Sequence, residues 1–201
     1  MSKTKIGRAL KGKELITIGI FSAIYFVINF FFMLLSGLHP ILWILMPALI
    51  ALFSGIPFML MCAKVKKTGA VLLMGLITGL IYFVTGQFTV VILVTFVVAC
   101  VLGEITRVLS KYNSFKGNAL AFTFFSLGMT GSPLPIWLMR DSFIAQITEQ
   151  GMPDSYISAL KAVSSPAMLV VLFVAPIICA LIGSLITKSM FKKHFTKAGI
   201  V

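Results

Sequence analysis

The chain has 201 residues, of which 59% are hydrophobic and only 11% charged, and its mean hydropathy is +1.08. A soluble domain of this length cannot bury so much apolar surface, whereas a protein whose outer surface faces lipid can. The composition excludes a soluble protein and predicts an integral membrane protein.

Six apolar stretches follow one another along the chain, and each is long enough to cross a bilayer, which takes about 20 helical residues. They predict an all-α integral membrane protein with a single transmembrane domain over residues 1–201. The predicted helices cover residues 14–36, 41–63, 68–84, 88–109, 118–139 and 165–190, and glycines and prolines interrupt the fifth near its end. Residues 140–164 form one long polar connection, in which Pro153 and Asp154 predict a short surface helix.

The cations are distributed unevenly between the connections. Of the 17 Lys and Arg residues, 15 lie in the N-terminal segment, in or beside the connections after the second and fourth helices, or in or beside the C-terminal tail. Only Arg140 and Lys161 lie elsewhere. Because cytoplasmic loops carry an excess of Lys and Arg, this alternation supports six spans and predicts both termini in the cytoplasm. The net charge of +12 is therefore a topology signal and does not indicate nucleic-acid binding.

The sequence offers no catalytic or metal-binding constellation. Cys62, Cys100 and Cys179 lie in or beside apolar stretches, without a CxxC pair, and are expected to act as small packing residues. No HExxH, GxSxG or P-loop pattern occurs. We therefore expect no catalytic residues, metal or cofactor, and any ATP-driven step would need another subunit.

Glu104 is an acidic residue inside a predicted membrane helix, and Arg107 follows it three residues later on the same face. This spacing favours a local ion pair near the inner interface. A proton-coupling carboxylate is the alternative.

Small residues mark one face of the first helix. Gly19 and Ala23 are spaced i, i+4, with Ser22 beside them, and such spacing lets a second helix approach closely. The pattern predicts contact with a partner subunit, and ordinary packing within the bundle is the alternative. The third helix repeats the spacing at Gly75 and Gly79.

Polar and aromatic residues gather in the half of the predicted helix bundle that faces outward. They predict a small-molecule pocket with aromatic walls and a few directional hydrogen bonds. The expected ligand is an uncharged, nitrogen-rich ring, with an arginine contact if the ligand is anionic. The alternatives are an interfacial belt for the tryptophans and hydrogen bonds within the same helix for the hydroxyl groups. The candidate residues are Asn29, His39, Trp43, Tyr82, Gln87, Thr130, Trp137 and Arg140.

Three segments carry a family resemblance: "GIFSAIYFVINFF" in the first helix, "GEITR" in the fourth and "GSPLPIW" in the fifth. With its length and helix count, the chain resembles the substrate-binding S components of energy-coupling factor (ECF) transporters, and within them the MptD-type, or trep_strep, group. Gly19 and Ala23 match the position of the family's small-residue docking motif, although glycine replaces the usual first alanine.

The resemblance implies a division of labour in a bacterial plasma membrane. The S component captures a vitamin-like molecule from outside, while a transmembrane coupling subunit (T component) and two ABC-type ATPases supply energy. Toppling in the membrane then carries the site inward. Hydroxymethylpyrimidine, a thiamin precursor, is the substrate proposed within the group. The competing hypotheses are a stand-alone transporter or channel and a membrane-embedded enzyme.

Overall fold

A computed structural model describes residues 10–84 and 89–191, and the regular elements in this part of the chain are all helices. The helices are α1 (Gly12–Ser36), α2 (Pro40–Lys64), α3 (Ala70–Val84), α4 (Val90–Leu109), α5 (Phe115–Leu127), α6 (Pro135–Leu138), α7 (Arg140–Glu149), α8 (Asp154–Val163) and α9 (Pro166–Met190), with a 3-10 turn over Gly128–Gly131. Among the described residues, four helices (α1, α2, α4 and α9) are long and apolar enough to cross a membrane, and α3 is a shorter apolar helix.

Helix starts are fixed by local capping side chains. An N-cap side chain accepts a hydrogen bond from a first-turn N–H group that has no partner within the helix. His39 does this for α2, Thr89 for α4, Ser114 for α5 and Ser165 for α9. The predicted helix starts therefore differ from the observed ones by only a few residues.

The segment after α5 differs most from the predicted elements. The predicted interruption is present, because the helix ends at Leu127 and continues as a 3-10 turn and the four-residue α6. The predicted surface helix is also present as α8. The sequence did not predict α7, because its polar composition resembles that of a loop.

One end of the bundle collects the basic segments, and we call it the basic end. The connections after α2 and α4 meet there with the starts of α1 and α5 and the end of α9. The contacts that join them are Lys67–Glu14 at 2.7 Å, Lys66–Asn113 at 3.0 Å and Lys188 Nζ at 5.0 Å from the Phe115 ring centroid. The segments that the charge pattern assigned to one side thus lie together, and the side of the membrane that they face stays a prediction.

The opposite, or distal, end is joined by tyrosine and tryptophan side chains. Tyr156 of α8 donates to the carbonyl of Ser36 at the end of α1 (3.1 Å), and Trp137 of α6 donates to the carbonyl of Ser165 before α9 (3.2 Å). The α7–α8 hairpin is thereby attached above the ends of the membrane helices.

Helix α2 is the central helix of the bundle. In its most apolar 18-residue window, 72% of residues are buried, against 28% in α1 and α9 and 33% in α4. Its backbone touches α9 directly: a Cβ added to Gly183 would lie 2.6 Å from the carbonyl oxygen of Leu52. The outer helices therefore expose the large apolar surface that the composition required.

The expected ion pair between Glu104 and Arg107 does not form. The Glu104 carboxylate accepts hydrogen bonds from the backbone N–H groups of Gly69 (2.8 Å) and Val71 (2.9 Å) at the start of α3. Arg107 Nη2 donates to the carbonyl of Val65 (2.6 Å) at the end of α2. Both side chains bind helix ends instead of each other, because a carboxylate suits unpaired N–H groups and a guanidinium suits unpaired carbonyls.

Candidate functional site

A cavity of about 440 Å³ opens at the distal end, and we call it the distal cavity. It lies between the end of α1, the start of α2, the start of α4 and the α7–α8 hairpin. Its lining residues are Met33, Leu34, Ser36, Gly37, Trp43, Thr89, Ile92, Ser132, Phe143, Gln146, Ile147, Gln150, Met152, Tyr156 and Leu160. None of these described residues is charged, so the cavity offers hydroxyl groups, carboxamides and aromatic rings.

A smaller inner chamber of about 80 Å³ lies beside it, with Trp43 and Ser132 among the residues common to both. Its remaining walls include Met46, Tyr82 and Met129. Methionine is flexible and polarizable, so these walls adapt readily to the shape of a small group.

Trp43 is the most strongly positioned ring of the distal cavity. Its indole Nε1 donates to Ser132 Oγ at 3.2 Å, which connects α2 to the segment that follows the 3-10 turn. Its ring stacks on Phe143 of α7, with centroids 5.5 Å apart and an angle of 9° between the planes. The ring is half-buried and has one aromatic face paired with a neighbour.

The break after α5 places Ser132 in the cavity wall. The 3-10 turn packs directly on α4, because a Cβ on Gly131 would lie 2.0 Å from Thr95 Oγ1 and 2.8 Å from Ile92 Cα. Thr95 Oγ1 also lies 3.0 Å from the carbonyl oxygen of Gly128, to which it can donate. The glycine-rich sequence therefore lets an irregular backbone lie against a neighbouring helix, where its polar groups find partners.

Asn29 and Tyr82 form a buried pair next to the inner chamber. The Tyr82 hydroxyl donates to Asn29 Oδ1 (3.2 Å), and Asn29 Nδ2 donates to the carbonyl of Tyr25 (2.7 Å). Asn29 is 0% exposed and does not line the cavity. Its amide therefore holds Tyr82 in place beside the chamber.

Tyr156 closes one side of the distal cavity from α8. Its hydroxyl donates to the Ser36 carbonyl at 3.1 Å. A tyrosine hydroxyl is protonated at neutral pH, and burial raises the pKa of Tyr156 further above its usual value.

Four further predicted binding residues lie outside the cavity lining. His39 caps α2, Thr130 Oγ1 donates to the carbonyl of Leu127, and Trp137 donates to Ser165. Arg140 is exposed, and its Nη2 donates to the Lys161 carbonyl at 3.3 Å. Gln87 lies outside the described residues. Of the seven candidates that the structure describes, Trp43 and Tyr82 are brought to the cavity or its inner chamber.

The chain matches a known family of bacterial membrane proteins. The family described as "Hypothetical bacterial integral membrane protein (Trep_Strep)" matches residues 12–197. The chain belongs to this family. No curated protein and no solved structure matches it.

In this Trep_Strep protein, the small residues of α1 divide between two faces. Ala23 is exposed, and a Cβ added to Gly19 would meet no atom within 4 Å. Ser22 is fully buried and donates to the carbonyl of Ile18, so it does not lie on the exposed face with Ala23. On α3, a Cβ at Gly75 would lie 2.3 Å from Cys100 Sγ, which shows that this glycine serves packing on α4.

Sequence reasoning about this Trep_Strep chain missed the contribution of α7. Phe143, Gln146, Ile147 and Gln150 all line the distal cavity and follow the i, i+3, i+4, i+7 spacing of one helical face. The spacing is present in the sequence, but the polar composition of residues 140–164 predicts a connection and not a helix.

Proposed function

We propose that this protein is the substrate-capture subunit of an ATP-driven importer of the ECF type. The observation that carries the proposal is the uncharged distal cavity with an anchored tryptophan, at the end of the bundle opposite the basic segments. Under the predicted topology that end faces outside, where a nutrient is captured.

The lining indicates an uncharged ligand. A buried ion costs several kcal/mol unless an opposite charge compensates it, and no described residue of the lining supplies one. Hydroxyl and carboxamide groups instead match the donors and acceptors of a neutral heterocycle. A vitamin or vitamin precursor with one small ring, such as hydroxymethylpyrimidine, fits this chemistry.

The energy would come from partners. The sequence has no P-loop, so we propose a T component and two ABC-type ATPases as the motor, with this chain itself catalysing no reaction. The exposed stripe of α1 around Gly19 and Ala23 supports docking, because a second helix can approach these small residues closely. The exposed apolar residues Ile16, Ile20 and Val27 lie on the same helix.

Ligand capture tests the first half of the proposal. The purified full-length protein is incubated with an extract of complex growth medium, washed and analysed by mass spectrometry for released small molecules. We expect one neutral compound, retained by Trp137→Phe and lost from Trp43→Ala. Trp137→Phe is the control, because Trp43 lines the cavity and Trp137 does not.

Co-purification tests the second half. A tagged chain expressed in its own host should bring down two ATPases and a membrane subunit, and uptake of the captured compound should require ATP hydrolysis. Uptake by the isolated chain in vesicles would instead show a stand-alone transporter. No captured compound together with no associated ATPase would overturn the proposal.

A further inference from the structure

The Trp43–Phe143 stack fills the position where a planar ligand would contact the tryptophan. Aromatic carbon atoms in contact are about 3.5 Å apart, so a ring placed between two others needs planes about 7 Å apart. The centroids of Trp43 and Phe143 are only 5.5 Å apart in a nearly parallel arrangement. No third ring fits between them.

The two rings are held with unequal strength. Trp43 belongs to the central helix α2 and is anchored through Ser132. Phe143 belongs to α7, whose main helix contacts are with its sequence neighbours α6 and α8. Phe143 is therefore the partner that moves more easily, by a rotamer change or with its helix.

Beside Phe143, the same face of α7 carries two carboxamides. Gln146 and Gln150 line the distal cavity one helical turn apart, and both are exposed at its mouth. Each carboxamide presents an adjacent donor and acceptor, which is the pattern found along the edge of a nitrogen heterocycle.

We propose that the face of Trp43 covered by Phe143 is a ring-binding subsite, and that Phe143 occupies it in the empty protein. The ligand is an uncharged, planar, six-membered heteroaromatic ring that displaces Phe143 and presents its hydrogen-bonding edge to Gln146 and Gln150. This inference rests on the proposed capture function and specifies the ligand class and the residues that select it.

The effect of Phe143→Ala on ligand affinity distinguishes a side chain that competes with the ligand from one that forms part of the binding site. If Phe143 competes with the ligand, Phe143→Ala removes the competitor and should tighten binding by about 2- to 13-fold, the equivalent of one aromatic pair. If Phe143 is a wall of the site, the same change should weaken binding. Ile144→Ala is the matched control on α7, since its side chain does not line the cavity, and it should leave affinity unchanged.

The experiment measures binding by the fluorescence of Trp43. In full-length Trp137→Phe protein, Trp43 is the remaining tryptophan. Hydroxymethylpyrimidine and nicotinamide serve as aromatic probes, and glucose serves as a neutral, non-planar ring. In the empty protein, Phe143→Ala should shift the Trp43 emission to the red and increase its quenching by acrylamide. An aromatic probe should reverse both effects.

The carboxamides are tested in the same titration. Gln146→Ala and Gln150→Ala should each weaken the binding of the aromatic probe by about 2- to 13-fold, the equivalent of one hydrogen bond. Neither change should alter the Trp43 emission of the empty protein. Glucose should not change the emission.

Any one of three results would overturn the proposed subsite. The aromatic probes bind Phe143→Ala more weakly than the protein with Phe143, glucose binds as tightly as the aromatic probes, or neither aromatic probe binds to any variant. Its failure is distinguishable from failure of the capture function. A captured compound without an aromatic ring would overturn the subsite and leave the importer proposal standing, whereas no captured compound and no ATPase partner overturns both.

Discussion

Glu104 and Arg107, three residues apart on α4, hold the two sides of one connection. The carboxylate binds the start of α3 and the guanidinium binds the end of α2, so the connection between these helices is fixed from both sides. Glu104 is 4% exposed and Arg107 is 0% exposed. Their pairing with backbone groups satisfies helix ends that would otherwise be buried without partners.

Removing the carboxylate should destabilise the fold. Glu104→Ala leaves the N–H groups of Gly69 and Val71 without their acceptor, and a buried unpaired group costs about 1–3 kcal/mol. Glu104→Gln keeps one acceptor oxygen and should lose less. Thermal unfolding of the detergent-purified protein measures both, with Glu149→Ala, an exposed carboxylate of α7, as the control. An unchanged melting temperature for Glu104→Ala would contradict the capping role.

The predicted membrane sidedness can be read by cysteine labelling. With Cys62, Cys100 and Cys179 replaced by alanine, single cysteines at Lys66 and Lys111 should react with an impermeant maleimide only in inverted vesicles. A cysteine at Lys161 should react in whole cells. The expectation follows from the gathering of cations at the basic end. Labelling of position 66 from outside would reverse the orientation and place the distal cavity inside the cell.

The exposed face of α1 should couple the chain to its partner. Gly19→Leu and Ala23→Leu should abolish ATP-dependent uptake while changing ligand affinity less than twofold, because a large side chain blocks close helix approach far from the cavity. Both substitutions point into open space and should leave the melting temperature unchanged. Val98→Leu, on the exposed face of α4, is the control. Full uptake by both α1 variants would exclude this face as the docking surface.

Ligand binding should be independent of Arg140. Its guanidinium lies outside the cavity lining and binds the Lys161 carbonyl, so Arg140→Ala should leave the affinity for a neutral ligand unchanged. Raising the salt concentration from 50 to 500 mM should likewise have no effect, since no ion pair is screened. Isothermal titration calorimetry measures both. A loss of affinity in both experiments would identify an anionic ligand and return Arg140 to the site.

The sequence by itself determined the class of protein and the approximate positions of its long apolar helices, four of which are long enough to span a membrane, while six spans stay a prediction. Hydropathy and length predict membrane helices because the bilayer acts on each segment separately. Helix starts at His39, Thr89 and Ser165 were near the predicted positions, because capping and proline signals are local. The charge pattern also predicted which connections meet, as the Lys67–Glu14 and Lys66–Asn113 contacts show.

Only the tertiary structure decided which side chains form the site. Asn29 and Trp43 are both candidates in the sequence, yet Asn29 is fully buried beside Tyr82 and Trp43 forms part of the cavity wall. Ser22 and Ala23 are adjacent in sequence, yet Ser22 is buried inside the bundle and Ala23 is exposed on its surface. Glu104 exchanged its expected neighbour Arg107 for backbone groups some 33 to 35 positions away in sequence. Periodicity shows which residues share a face, but the hydrogen-bond partner of a buried polar group depends on which helix lies opposite, and that is set by the packing of the whole bundle.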